Sequence, residues 1–520
     1  MPTLNWIGKD KVVNHHLDVP FRTLEKQYTF APNGGDDDGN MIIHGDNLDA
    51  LKALLPMYEG RVKCIYIDPP YNTGNEKWVY NDNVNDPYIK AWLGKVVGAE
   101  GEDLSRHDKW LCMMYPRLKL LQKLLAEDGV IFISIDDTEY ANLKLICDEI
   151  FGNYSETIVW QKRTSPDARK KLSSGHEYIL IYTKNPDQNL GLRLLPLEGK
   201  DAEAYVNPDN DPRGPWISSP FTAPGYRPNK MYTITTPTGK TVLPPKGRCW
   251  CNIEEVYQRL LSEGRMWFGA DGNGVPRRKT YLSEREGRGT WTWWTNSEVG
   301  YTQIATQELA TILGKAVFDY PKPVRLIERI LKIASDPDSI ILDSFAGSGT
   351  TAHAVLNMNK QDGGHRKFIL VEMGDYAENI TAERVRRVIN GYGEGNKAVE
   401  GTGGGFSFYE LGDALLINGM LNPNAAEEKI CAYVYYTETR CALPAASENE
   451  KYLLGVHENH AYYFYYEANR MTTLNRAFLQ TIQTRAEGYL IYADSNTLSA
   501  EDMARFHITF KKIPRDIAAL

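Results

Sequence analysis

Apolar residues fall along this chain in short blocks separated by longer amphipathic stretches, the alternation that builds a sheet covered by helices. Blocks near 40–43, 61–67, 130–135, 157–161 and 177–183 are rich in β-branched and aromatic residues and end in turn residues, so they are predicted to be buried strands. Between the second and third, Lys109 to Ala126 carries Leu111, Met114, Tyr115, Leu118, Leu121 and Leu125 at helical spacing. Pro116 is predicted to kink that helix or to mark its true start. A second set follows much later. Ile340-Ile341-Leu342 and Lys367 to Val371 are predicted strands, with a helix from Ala352 to Met358 between them. The two sets read as the halves of one doubly wound α/β sheet.

The pattern also divides the chain. Residues 1–37 are an entry arm ending in the turn-rich run Pro32 to Asp37. Residues 38–188 hold the first half of the sheet and 311–394 the second. Residues 189–310 are rich in Pro, Gly, Trp and Arg, have few periodic runs, and read as an insert between the halves. Asn396 to Gly405 is a glycine-rich linker. Residues 406–520 are expected to form a small separate α/β unit, with a hairpin from 452–456 and 460–465 and a further strand at 488–492.

Two strand ends carry the candidate chemistry. The strand Val62 to Ile67 closes in Asp68-Pro69-Pro70-Tyr71. Open α/β sheets bind ligands at the carboxyl ends of their strands. There the Asp68 carboxylate can accept one N–H of an exocyclic amine and the Pro69 carbonyl the other, while the prolines fix the turn and Tyr71 stacks on a planar base. A bare rigid turn is the plainer reading of the same residues. The second strand end is Asp343-Ser344-Phe345-Ala346-Gly347-Ser348-Gly349-Thr350, a glycine turn leading into a helix N-terminus. Glycine lets backbone approach a ligand closely. The turn lacks the Gly-Lys-Ser/Thr ending of a phosphate loop. The next strand ends at Glu372, an acid placed to hold ribose hydroxyls.

Together these elements resemble the amino-methyltransferases that act on DNA bases with S-adenosylmethionine. The catalytic element precedes the cofactor element, which is the permuted order of the β class. Met41 to Leu48, including Asp46 and Asn47, resembles that family's third motif, and Phe318 to Pro323, including Lys322, its tenth. The likeness extends to the modification subunits of type III restriction-modification systems through Asp68 to Asn75, Trp267-Phe268-Gly269, Gly272 to Lys279, Tyr281 to Glu284, Leu4 to Lys9 and Ile513 to Asp516. It is weakest over residues 396–505.

The resemblance implies a permuted Rossmann-like, S-adenosylmethionine-dependent methyltransferase. Residues 38–188 would be its catalytic half, 189–310 a target-recognition insert, 311–394 the cofactor-binding half and 406–520 an interaction domain. It implies catalytic Asp68, Pro69, Pro70 and Tyr71. Asp46, Asn47, Lys322, Asp343, Phe345, Ala346, Gly347, Ser348, Gly349, Thr350 and Glu372 would face S-adenosylmethionine. It further implies methylation of adenine N6 in a specific site of double-stranded DNA after base flipping, a homodimer, and a helicase-nuclease partner. Cytosine N4, an RNA or protein amide, and a catalytically silent DNA-binding subunit stay open as alternatives.

Charge and composition refine this. The net charge is −8, yet residues 151–300 hold 21 Lys and Arg against 16 Asp and Glu, so a basic middle sits on an acidic body. Seven scattered cysteines point to reduced thiols, and Cys249 and Cys251 lack the further ligands of a zinc site, so no metal is expected. No apolar run of about 18 residues and no leader pattern is seen, so a cytoplasmic protein that does not cross a membrane is expected. His176-Glu177 reads as a pair holding the sheet edge, with an acid/base couple as the other reading, and Asp136-Asp137, which could bind a metal, as sheet-end acids, one of them near the cofactor.

Overall fold

The computed structural model describes residues 3–32, 35–73, 95, 106–152, 154–184, 192–395, 398–417 and 419–514. Gly74 and Asn75 of the Asp68 motif, Asn33 and Gly34, Asn396, and Arg515 and Asp516 lie outside them. The chain divides into two compact units, one of residues 1–192 with 291–520 and one of 193–290.

The larger unit is built on one ten-stranded sheet. Its strands are β1 (Arg22–Phe30), β2 (Met41–His44), β3 (Val62–Ile67), β4 (Leu125–Ile135), β5 (Tyr154–Gln161), β6 (His176–Thr183), β7 (Trp293–Trp294), β8 (Ile340–Asp343), β9 (Lys367–Glu372) and β10 (Phe406–Ala414). Their order across the sheet is β1-β10-β2-β9-β8-β3-β4-β6-β5-β7. The run from β10 through β4 is parallel, with β8 pairing β3 through Ile341 to Cys64 and Leu342 to Ile65. Strand β6 is antiparallel to both β4 and β5. These central strands are covered on both faces, which is why they read as unbroken apolar runs rather than alternating ones.

Helices α1 (Asn47–Tyr58), α2 (Arg106–Leu124), α3 (Tyr140–Phe151), α4 (Thr302–Leu313), α5 (Val324–Ala334), α6 (Thr350–Asp362) and α7 (Glu383–Asn390) accompany the sheet. Leu51, Leu54, Leu118, Leu121 and Ile146 from α1, α2 and α3 share one buried core with Ile65, Ile67, Ile131 and Ile133 of the sheet. Pro116 lies well inside α2, and Leu125 begins β4 instead of ending the helix.

The connections explain the site. From β3 the chain moves by α2 to β4 on one side, and from β8 by α6 to β9 on the other. Neighbours β3 and β8 therefore flank the topological switch point, where the two crossovers leave a crevice at the strands' carboxyl ends. The late strands β8 and β9 slot between β2 and β3, so segments far apart in sequence meet there.

Three boundaries differ from the sequence reading. Residues 406–414 are not part of a separate unit: β10 pairs parallel with β2 and antiparallel with β1, so the entry arm and the start of the last segment together extend the main sheet. Trp293-Trp294, expected in the insert, pairs with β5. Within 396–405, Val399-Glu400 pairs with Gly391-Tyr392. The mixed runs of 22–30 and 406–414, the outermost strand and its inner neighbour, carry no signal that assigns them to a particular sheet. Beyond β10, strands β11 (Leu453–His457), β12 (His460–Phe464), β13 (Gly488–Ala493) and β14 (Ile508–Lys512) form a second sheet. The β11–β12 hairpin turns on Glu458 and Asn459, both at positive φ as a two-residue type I′ turn requires.

The smaller unit packs short antiparallel strands and the helix Glu254–Ser262 around Phe221, Ile234, Trp250, Tyr257 and Phe268. Buried Asp211 anchors it: Arg213, Lys279 and Tyr281 all donate to its carboxylate within 2.9 Å, and the Arg213 bonds foremost hold it well below the ordinary range.

Candidate active site

Asp68 follows β3 directly, and its two carboxylate oxygens are separately engaged. Lys322 Nζ donates to Oδ2 at 2.6 Å and Tyr71 Oη to Oδ1 at 2.8 Å. Lys322 lies 254 residues further along the chain. It also contacts Tyr71 Oη at 3.0 Å and sits 5.0 Å from the centre of the Tyr71 ring. Glu177, the second residue of β6, accepts from Tyr71 at 3.1 Å and from Lys162 at 2.8 Å, and lies 3.6 Å from Lys322. Because β6 runs against β4 while β5 runs with it, the start of β6 and the end of β5 reach the same sheet edge as Asp68. Two carboxylates and two ammonium groups thus balance in one half-buried cluster.

The charges tune one another. Burial pushes the Asp68 carboxyl up, and Glu177 adds to this, while Lys322 pulls against both; the result is a raised value. Burial also opposes ionisation of Glu177, but Lys322 and Lys162 together outweigh it and hold it low. Lys322 is raised, since Asp68 and Glu177 overcome the cost of its burial.

The Asp68 loop is fixed from behind. Trp110 Nε1 of α2 donates to the Pro70 carbonyl at 2.7 Å. Asn72, in the left-handed region at φ 59°, donates to buried Glu139 at 2.5 Å, which also meets His107 Nδ1 at 2.7 Å. Tyr71 is therefore not a loose stacking ring: its hydroxyl is pinned by three neighbours.

The glycine turn is held as firmly. Gly347 and Gly349 both have positive φ, 53° and 79°. Gly347 N–H donates to Glu372 Oε2 at 2.7 Å, and its carbonyl accepts from Thr381 at 2.6 Å. Asp343 accepts from Phe345 N–H at 3.1 Å and Thr351 at 2.6 Å, and burial pushes its carboxyl up to about 7 despite those bonds. Arg384, almost fully buried on α7, donates to Ser348 Oγ at 2.9 Å and Thr350 Oγ1 at 2.8 Å. Thr350 in turn bonds the Lys322 carbonyl at 3.3 Å, which joins the turn to the Asp68 cluster. Thr381 belongs to a single π-helical turn, Ala377–Ala382, a feature common where a helix is shaped around a site.

One cavity of about 560 Å³ is lined by both halves. Asp68, Pro69, Tyr71, Lys162, Glu177, Lys322, Asp343, Phe345, Ala346, Gly347, Ser348 and Thr350 all border it, as do Asp136 and Asp137. That size is typical of a site for a small organic ligand. Other expected residues stand behind this lining. Pro70 gives its carbonyl to Trp110, and Gly349 caps α6. Glu372, expected to hold ribose, accepts from the N–H groups of Gly347 and Gly374, one on each oxygen. Asp46 caps α1 through Leu48 N–H at 2.7 Å and pairs with buried Arg117. Asn47 binds the Ser344 carbonyl at 3.0 Å and also accepts from Arg117. Asp46 borders a second cavity, of about 590 Å³, with His44, Gly45, Asp49 and Met373.

Sequence comparison supplies the family. The profile of the DNA methylase family matches residues 62–383, from β3 through both strand ends to α7. The chain belongs to the DNA methylase family. Its permuted Rossmann-like sheet is that of a methyltransferase of this family, as the resemblance implied. Among curated relatives, the Mod subunit of the type III restriction-modification enzyme StyLTI of Salmonella typhimurium is 40% identical over 362 residues, covering 66% of this chain and 53% of the relative. The EcoP15I Mod subunit of Escherichia coli is 31% identical, covering 72% and 64%. The type II methyltransferase M.KpnI of Klebsiella pneumoniae is 34% identical, covering 65% and 81%. The chain thus spans between half and two thirds of the two Mod subunits.

The sequence reading missed Lys162, Trp110, Glu139, Thr381 and Arg384 at this site, and it paired Glu177 with His176 at the sheet edge, whereas Glu177 joins the Asp68 cluster and His176 meets Tyr178. Glu177 carried a signal, an acid opening an apolar strand. Only the antiparallel placement of β6 turns it toward Asp68.

Proposed function

We propose that the chain transfers a methyl group from S-adenosylmethionine to the N6 amine of adenine at a specific site in double-stranded DNA, with the base flipped out of the helix. The observation that carries this is the single cavity bordered at once by the Asp68 carboxylate and the glycine turn. The family profile and the names of the relatives, Mod subunits and a type II methyltransferase, support it. Bound there, S-adenosylmethionine supplies an electrophilic methyl group on a cationic sulfur.

The donor set fits such a ligand: the cavity offers acids to a cation, an aromatic ring and a backbone turn free of side chains at Gly347. Lys322, Asp343, Phe345, Ala346, Gly347, Ser348 and Thr350 would hold it, with Asn47, Gly349 and Glu372 shaping the turn behind them and Asp46 fixing the start of α1 beside the second cavity. Asp68 would accept an N–H of the target amine. Each carboxylate oxygen has two lone pairs, so it does so without releasing Lys322 or Tyr71. Its raised pKa also makes Asp68 a fitting acceptor of the proton the amine gives up. A base within a duplex cannot reach this crevice, which is why extrusion is required. The smaller unit, with 15 Lys and Arg against 11 Asp and Glu over 193–290, would read the sequence. A second copy and a helicase-nuclease subunit are the proposed partners, and a cytoplasmic location is proposed with them. Among the described residues no helix is long and apolar enough to cross a membrane. Incubation with labelled S-adenosylmethionine and separate DNA, RNA and protein acceptors tests the class of substrate: label should enter DNA alone.

Asp343 makes cofactor binding pH-dependent in a defined sense. Between its ordinary 3.8 and about 7 the folded chain holds a proton that the unfolded chain has lost, so Asp343 lowers stability as pH rises across that window. A cation bound beside it favours the carboxylate. Affinity for S-adenosylmethionine should therefore rise with pH up to about 7, with proton release on binding. Calorimetry in buffers of different ionisation heat checks this, and Asp343→Asn should abolish the release.

Arg384→Met should loosen the turn without touching the cavity wall. It leaves the Ser348 and Thr350 hydroxyls short of a donor, at about 1–3 kcal/mol. Cofactor Kd should rise about tenfold. An unchanged Kd would mean that Thr381 and Glu372 hold the turn by themselves.

A further inference from the structure

The loop between β5 and β6, residues 163–175, is a folded projection rather than an open tether. Lys162 N–H closes it onto the Gly175 carbonyl at 2.9 Å. Inside it, Asp167 N–H donates to Ser173 Oγ at 3.0 Å, and the Asp167 carboxylate accepts from the Arg169 amide and guanidinium at 2.9–3.0 Å. Lys170 N–H adds a bond to the Asp167 carbonyl at 3.0 Å. Compact loops with closed ends of this kind are frequently functional.

Its composition is one-sided. Arg163, Arg169, Lys170 and Lys171 stand against a single acid, Asp167. Arg163, Lys170, Ser173 and Ser174 border the cavity that holds Asp68. Between Lys170 and Ser173 projects Leu172, 93% exposed, more than any other large apolar side chain among the described residues. A lone exposed leucine means little on an ordinary surface. This one is carried on a braced, cationic loop at the rim of a site built for an amine on a planar base.

Extruding a base leaves a gap in the stack. Apolar wedges on a cationic frame are one way proteins enter a duplex between base steps. We propose that loop 163–175 is a DNA-contacting element of the larger unit, its cations on the phosphates and Leu172 filling the place vacated by the flipped base. The proposal rests on the DNA reading above. It adds a contact outside the 193–290 unit, one that acts on extrusion rather than on sequence choice.

The test begins with methylation-aware sequencing of unmethylated DNA treated with the wild-type chain, which maps the site. Synthetic duplexes of that site are then made with the target adenine matched, with it opposite an abasic position, and with 2-aminopurine in its place. Leu172→Ala should slow methylation of the matched duplex by about tenfold and suppress the 2-aminopurine fluorescence rise, because unstacking a paired base costs a few kcal/mol. On the abasic-partner duplex, where extrusion is cheap, it should stay within about twofold of wild type. Leu172→Met should restore the matched rate. Lys171→Ser, which leaves the Asp167 bonds of the loop in place, should instead weaken binding of both duplexes alike. An unaltered matched rate in Leu172→Ala, or an equal loss on both duplexes, overturns the wedge. Wild-type chain that methylates no DNA overturns the DNA reading and the wedge with it, a result distinct from a silent Leu172→Ala.

Discussion

Asp68→Ala is expected to lower methyl transfer by about 10²–10³-fold or more, the loss seen when one preorganised polar group at a reacting centre is removed. S-adenosylmethionine should still bind. The reason is positional: Asp68 closes β3, while the glycine turn that would hold the cofactor closes β8 and is braced by Glu372, Thr381 and Arg384. Lys322 keeps Glu177 at 3.6 Å as a counter-charge, so the variant does not strand a buried cation. Single-turnover rates and calorimetry on the same preparation check both halves. Turnover close to wild type would remove Asp68 from the chemistry.

Gly347→Val is expected to have the opposite profile, losing the cofactor first. At φ 53° a β-branched residue is a steric outlier, and forcing it there costs about 1–3 kcal/mol. The turn would escape the strain only by giving up the bonds from Gly347 N–H to Glu372 and from Thr381 to the Gly347 carbonyl. Affinity for S-adenosylmethionine should fall by about 10²-fold or more, since the strain adds to the side chain's intrusion where backbone should meet ligand. Gly347→Ala should lie between, with its left-handed cost near 1–2 kcal/mol. Equal affinity in wild type and Gly347→Val would make the turn a structural element only.

How much of this was legible in the sequence depends on how local each signal is. The strands ending in Asp68 and Asp343 announced themselves because a doubly buried parallel strand is a continuous apolar run, and the residues just after such a run form a carboxyl-end loop. That the two loops meet is a matter of strand order, and the family resemblance, not periodicity, supplied it. The outer strands were harder. Arg22–Phe30 and Phe406–Ala414 pair with each other across most of the chain, and neither run names its partner. Leu125 fits a helical face as well as a strand start. Buried ionic partners were least legible: Arg384 sits in a run of arginines, and Lys162 after an ordinary strand, and only the fold turns them inward. Glu372 was legible only in part. An acid at a strand tip suggested a ligand, and the fold adds a second role that the sequence did not show, bonds from its oxygens to the backbone of the turn.

The most direct test of the central claim is the identity of the methylated nucleoside. Unmethylated duplex DNA is treated with the chain and isotope-labelled S-adenosylmethionine, digested to nucleosides and separated by mass. Label is expected in N6-methyldeoxyadenosine, confined to one sequence context and absent with Asp68→Ala. Label in N4-methyldeoxycytidine, or label appearing equally with Asp68→Ala, would contradict it.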